Sequence, residues 1–236
     1  MRIFCANLSF QFYKRFGRLK IRKQFLKTIK KVKMKVFYLE GNIASGKSLL
    51  LQKLKEKYEN EVNVVYEPLY EWQHYKGRFN LLDLMYKDSL ANGLAFQIVA
   101  QITQLERESY FDNLDKPVVV FERSLRSQII FVDHLESLGK LRNVDYWVLQ
   151  DLHRHMNSKF FDNYTTIYLR TSPEISLDRI RERGRIEENS IDIEYTTGLH
   201  NIHEKFFKHK PNCVIIDGNE NIETVFENFE NAIFTV

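Results

Sequence analysis

Five short apolar runs recur along the chain, at 35–39, 62–66, 117–121, 165–169 and 213–216. Each is dominated by β-branched and aromatic residues and bounded by polar or turn-forming ones, the pattern of a strand buried on both faces. Between the runs the apolar period changes to that of a helix. Helices are predicted over 49–58, over 80–113 with a break near Asp88–Gly93, over about 125–138 and 143–160 divided near Gly139, over 173–183, over about 192–209, and in a short segment at the C-terminal end. Pro173 suits a first helical turn with Ser172 as its cap, and Pro68 ends regular structure after the second run. Strands alternating with helices imply an α/β fold with a five-stranded parallel sheet covered by helices on both faces. No repeat, low-complexity stretch or Pro/Gly/Ser linker divides residues 34–236, so one domain is expected there.

Composition narrows the picture. A chain of 236 residues suffices for one sizeable α/β core. No apolar run approaches the ~20 residues needed to span a bilayer. Cys5 and Cys213 are the only cysteines, which argues against a disulfide framework and makes a reducing compartment the default. No Cys/His cluster has structural-zinc spacing; His153, His155, His200 and His203 read as ordinary helix or surface residues.

The formal net charge of +4 is unevenly spread. Twelve of the 35 Lys/Arg residues fall in residues 1–35, which hold no Asp or Glu; residues 36–236 hold the other 23 with all 31 Asp/Glu, a net of −8. Residues 1–33 are therefore a basic leader on an acidic domain. Three readings stay open for it: a mitochondrial transit peptide, an upstream extension that is not translated (Met34 stands directly before the first strand), or an arm for nucleic acid or a membrane surface.

The chemistry begins at residues 41–48, Gly-Asn-Ile-Ala-Ser-Gly-Lys-Ser, which fill every fixed position of G-x-x-x-x-G-K-[ST]. The segment follows a strand and opens a helix. In that context the backbone N–H groups of Gly41, Asn42, Ile43, Ala44, Ser45 and Gly46 cradle phosphates, Lys47 reaches the β/γ-phosphates, and Ser48 holds Mg²⁺. Glu67 follows the second strand, and Glu122 and Arg123 follow the third. Ligands of parallel sheets sit beyond the carboxyl ends of the strands, so three charged or phosphate-binding features converge on one rim. No Asn-Lys-x-Asp is present to read guanine, which disfavours a GTPase.

The wider set of marks is Glu40–Ser48, Glu67-Pro68 with Trp72, Leu-Met-Tyr-Lys-Asp at 84–88, Phe96-Gln97, Glu-Arg-Ser at 122–124, Tyr-Leu-Arg-Thr-Ser-Pro-Glu at 168–174 and Arg-Ile-Arg-Glu-Arg-Gly-Arg-Ile-Glu-Glu at 179–188. In order and spacing, over residues 35–231, these resemble the deoxyribonucleoside kinases, the family of the insect multisubstrate enzyme and the mitochondrial thymidine, deoxycytidine and deoxyguanosine kinases. The resemblance implies a P-loop kinase fold with an Arg-rich lid. It implies transfer of the ATP γ-phosphate to the 5′-hydroxyl of a deoxyribonucleoside, for nucleotide salvage, with Mg²⁺. A homodimer through the helices near 125–160 is expected, without membrane or nucleic-acid partners. The expected location is the cytoplasm, or the mitochondrion if residues 1–33 are a transit peptide.

The resemblance also carries roles. Glu67 takes the proton of the 5′-hydroxyl, Arg123 sits by the 5′-oxygen and the transferring phosphate, and Glu122 orients Mg²⁺ or its water beside Ser48. Gln97 bonds the base edge, Phe131 stacks on the base, and Trp72 and Phe96 line the pocket; Tyr86 and Glu188 hold the sugar 3′-hydroxyl. Of the arginines at 179, 181, 183 and 185, which cannot all share one helix side, Arg181, Arg183 and Arg185 are expected to close over the triphosphate. Asp217, Gly218 and Asn219 are expected around adenine. Gln97, Ala100 and Gln104 share one helix face. Gln104 and Gln128 stand where the pyrimidine-selective members carry apolar side chains and the deoxycytidine and purine kinases carry Arg and Asp, so thymidine is not expected to be the best substrate.

Two rival readings remain. A nucleoside monophosphate kinase shares the P-loop and arginine lid, but Glu67, Glu71 and Trp72 suit a neutral nucleoside better than a phosphate. A non-catalytic P-loop protein with the leader as a nucleic-acid arm would not need Lys47, Glu67 and Arg123 together.

Overall fold

In the computed structural model, which describes residues 34–157 and 163–235, period-two alternation along the strands sorts side chains to two faces of one sheet. The strands are β1 (Lys35–Gly41), β2 (Val62–Val65), β3 (Val118–Glu122), β4 (Thr165–Arg170) and β5 (Cys213–Asp217). They are all parallel, in the order β2-β3-β1-β4-β5. The helices are α1 (Lys47–Lys57), α2 (Leu69–Gln73), α3 (Leu81–Lys87), α4 (Ser89–Ser109), α5 (Gln128–Ser137), α6 (Asn143–Asn157), α7 (Pro173–Arg183), α8 (Ile193–Phe207) and α9 (Ile222–Phe234). The basic leader and its three readings lie outside the described residues.

On one face Phe37, Leu39, Val118, Val120, Ile167 and Leu169 meet Leu50, Leu51 and Leu54 of α1 and Val225, Phe229 and Ile233 of α9. On the other, Tyr168 packs among Leu177 and Ile180 of α7 and Leu199 and Phe207 of α8. A further apolar cluster joins Trp72 of α2, Leu82 and Met85 of α3, Phe96 and Ala100 of α4, Ile129, Val132 and Leu135 of α5 and Leu149 of α6. The central strand β1 has β3 and β4 on its two sides, Leu39 lying opposite Glu122 and Ile167. The P-loop that follows β1 is thus flanked by the end of β3.

The expected α/β sheet with helices on both faces is present. Several boundaries differ. The predicted break at Asp88–Gly93 is one residue wide: Asp88 separates α3 from α4 and caps α4 by accepting from the Ala91 N–H at 3.1 Å. Gly93 lies within α4, where Leu141 and Leu135 approach it closely. The short helix α2 directly after Pro68 was not foreseen. The C-terminal helix runs for 13 residues rather than being short. Ser172 caps α7 as expected, accepting from the Ile175 N–H at 3.4 Å.

Candidate active site

The P-loop folds tightly because its backbone passes through the left-handed region at Ala44 (φ 55°) and Gly46 (φ 105°). A Cβ on Gly41 would lie 2.6 Å from the Leu169 carbonyl oxygen, so only glycine lets the loop leave β1 this close to β4. Lys47 is buried and bends back over the loop, its Nζ donating to the carbonyls of Gly41 (3.2 Å) and Asn42 (2.6 Å) and to Ser45 Oγ (3.2 Å). Burial first, and then the charge of Arg123, lower its pKa to about 7. Asn42 turns inward: its Nδ2 donates to the Thr196 carbonyl at 3.1 Å, tying the loop to α8.

Ser48 Oγ donates to Glu122 Oε1 at 2.6 Å, and Glu122 Oε2 accepts from the Glu67 N–H at 3.3 Å. One carboxylate at the end of β3 therefore links the P-loop to the end of β2. Adjacent strand residues normally face opposite ways. Here Arg123 adopts φ 62°, and that left-handed turn lets Glu122 and Arg123 both line the same cavity. The Arg123 guanidinium donates to the Gly41 carbonyl at 2.8 Å, stands 3.0 Å from Glu67 Oε1, and lies 4.7 Å above the centre of the Phe131 ring. Desolvation raises the pKa of Glu67, with the Arg123 charge opposing it.

A cavity of about 450 Å³ is lined by Ile43–Ser48 of the P-loop, by Glu67, Glu122 and Arg123, and by Trp72, Tyr86, Phe96, Gln97, Ala100, Gln128, Phe131 and Glu188. The Trp72 indole meets Phe96 edge-on at 5.3 Å and donates to Thr103 Oγ1 at 3.1 Å. Glu188 is buried and held by ion pairs to Arg183 (2.5 Å) and Arg185 (3.3 Å). Two buried amide atoms of the cavity wall, Gln97 Oε1 and Gln128 Nε2, have no hydrogen-bond partner among the described residues.

Two expectations need correction. Gln104 is not part of the cavity wall; its Nε2 donates to the Arg123 carbonyl at 2.9 Å. Arg181 points outward, 70% exposed and 3.9 Å from Asp178. Arg179 takes its place in the wall, bonding the Ser45 and Gly218 carbonyls at 3.1 Å each. Residues 179 and 183 share a helix side and 181 faces the other, while Arg185, beyond the left-handed Gly184 that ends the helix, rejoins the wall. Asp217, Gly218 and Asn219 lie beside the P-loop but outside the cavity lining. There Asn219 Oδ1 accepts from the Ser172 N–H at 2.8 Å, and a Cβ on Gly218 would strike Thr171 Oγ1 at 2.3 Å. Tyr195 of α8 also lines the cavity, its ring 6.1 Å from that of Tyr86. No sequence motif marked it.

A family model described as deoxynucleoside kinase matches residues 37–236. The chain belongs to the deoxynucleoside kinase family. It is 34% identical over 215 residues to the human protein named thymidine kinase 2, mitochondrial, covering 85% of this chain and 77% of that protein. It is 34% identical over 203 residues to deoxycytidine kinase 1 of Xenopus laevis, covering 76% of each chain. It is 32% identical over 201 residues to deoxycytidine kinase of Mus musculus, covering 75% of this chain and 77% of that one. The kinase is thus an ATP-dependent phosphotransferase acting on deoxynucleosides, and neither the monophosphate kinase nor the non-catalytic reading is favoured. Among the described residues no helix is long and apolar enough to cross a membrane.

Proposed function

We propose that Glu67 is the general base and that Arg123 steadies the 5′-oxygen and the transferring phosphate. The observation that carries this reading is the reach of Arg123, which touches the P-loop at Gly41, the carboxylate of Glu67 and the ring of Phe131. Phosphoryl transfer asks mainly for positioning and charge stabilisation, and a guanidinium at that junction serves both. The raised pKa of Glu67 suits a base that must take a hydroxyl proton near neutral pH. Lys47 turns from the loop carbonyls to the β/γ-phosphates when ATP enters, with Arg179, Arg183 and Arg185 as further cationic groups on the cavity wall.

Ser48 Oγ and the Glu122 carboxylate are adjacent oxygen donors of the kind Mg²⁺ takes alongside phosphate oxygens and water, so the residues present fit that ion. When bound, it neutralises charge on the β- and γ-phosphates.

The nucleoside stacks against Phe131, with its base edge on Gln97, its 3′-hydroxyl on Tyr86 and Glu188, and its C5 side toward Gln128. Gln97, whose buried Oε1 has no partner among the described residues, offers that acceptor and its amide donor to an edge that carries both kinds of group. Homodimer formation is supported by α6, which exposes Val144, Trp147 and Val148 at i, i+3 and i+4. Residues 1–33, basic and acid-free, suit a mitochondrial transit segment, whereas residues 34–236 alone suit the cytoplasm.

ATP consumption against the four deoxynucleosides and their monophosphates tests the reading. Turnover with one or more deoxynucleosides and none with monophosphates is expected. Turnover only with monophosphates would overturn it.

A further inference from the structure

Glu122 to Leu125 form the turn that presents Arg123, and buried side chains from two elements hold it. Ser124 bonds Glu40 Oε1 through its N–H (3.0 Å) and its Oγ (2.7 Å), and the Leu125 N–H donates to Glu108 Oε1 at 2.6 Å. Arg123 itself is fixed at both backbone ends. Its N–H continues the sheet to the Leu39 carbonyl at 3.0 Å, and its carbonyl accepts from Gln104 Nε2 at 2.9 Å. Gln104 is only 1% exposed, and the same Nε2 lies 3.4 Å from Glu108 Oε1. Gln104 and Glu108 stand one turn apart on the α4 face whose earlier positions, Gln97 and Ala100, line the cavity.

An arginine at φ 62° is held there by its surroundings, since the left-handed region is unfavourable for a residue with a long side chain. We propose that Gln104 is a positioning residue for phosphoryl transfer. Its amide fixes the Arg123 carbonyl, holds the left-handed turn, and so keeps the guanidinium aimed at Glu67 and the P-loop. The inference rests on the role given to Arg123 above. It also separates Gln104 from the base: a side chain that acts through Arg123 affects the reaction of every nucleoside alike.

The test is a double-mutant cycle with steady-state kinetics on all four deoxynucleosides. Gln104→Met keeps the length and removes the donor. It is expected to lower kcat by about 10- to 100-fold, by the same factor for each accepted base, with KM changed by less than about threefold and ATP affinity kept. In an Arg123→Lys background the same substitution is expected to cost less than about twofold more, because the group it positions is already gone. If Gln104→Met does not fold, Gln104→Asn runs the same cycle, keeping an amide but withdrawing it by one methylene. A base-dependent change in KM would overturn the inference by making Gln104 a reader of the base. Losses that multiply fully with those of Arg123→Lys would overturn it as well. If Arg123→Lys alone keeps the wild-type kcat, the reading of Arg123 falls and this inference with it, a result distinguishable from the other two.

Discussion

Glu67 Oε1 and Arg123 Nε lie 3.0 Å apart, the carboxylate just after β2 and the guanidinium just after β3. Burial raises the pKa of Glu67 while the arginine lowers it, so the two causes oppose each other at one oxygen. Replacing Glu67 by Gln removes the base but keeps the shape. Turnover is expected to fall about 10²- to 10⁴-fold while ATP binding, measured by calorimetry, survives. A near-normal rate with an accepted deoxynucleoside would show that another group takes the proton.

Lys47 makes a prediction about protons. Its pKa in the free protein is lowered to about 7, so near pH 8 most of the population is neutral. A triphosphate beside the amine favours the charged form and raises that pKa. ATP binding should therefore take up close to one proton at about pH 8, and little at about pH 6 where Lys47 is already charged. The heat of binding, compared among buffers of different ionisation enthalpy, reports the uptake. Lys47→Met should abolish it and weaken ATP binding while deoxynucleoside binding remains. An absence of uptake at pH 8 would mean that Lys47 keeps its proton in the empty site.

Much of this was legible in the sequence because it rested on short-range rules. The five apolar runs had the length and composition of doubly buried strands, and the P-loop declared itself by a strand, a glycine loop and a helix in succession. What escaped depended on local geometry that no periodicity signals. Helix α2 begins immediately after Pro68 and is five residues long, too short for a repeat to register. Gln104 had the spacing of a pocket residue, but a positive φ at Arg123 swings a carbonyl toward it, and nothing in an arginine announces that turn. Arg179 and Arg181 are an intermediate case: the helical period separates 179 and 183 from 181, but only the packing of α7 decides which side meets the cavity.

The described domain begins with β1 at Lys35, and every residue lining the cavity lies at or beyond Ile43. Removing residues 1–33 should leave specific activity and melting temperature unchanged. A truncated protein that is unfolded or inactive would make the leader part of the domain and move its boundary toward the N-terminus.

The last prediction concerns the base. With Gln104 taken up by Arg123, the polar character of the wall proposed to face C5 of the base rests on Gln128, whose buried Nε2 has no partner among the described residues. A thymine 5-methyl group facing that amide gives up part of the ~0.8 kcal/mol that burying a CH₂-sized group brings. A water can pair that donor beside a C5–H but not beside the methyl, which leaves it unpaired at about 1–3 kcal/mol. Together these amount to roughly 10- to 100-fold in kcat/KM, since each 1.4 kcal/mol is about tenfold. Deoxycytidine and the purine deoxynucleosides have no such methyl, so thymidine is not expected to be the preferred substrate. Gln128→Ala, which replaces the amide by an apolar niche, should raise thymidine relative to deoxycytidine. Gln104→Met should leave that ratio unchanged, because its side chain acts on the turn and not on the base. A wild-type enzyme that already favours thymidine tenfold or more would show that the Gln128 stem, and not its amide, faces the ring.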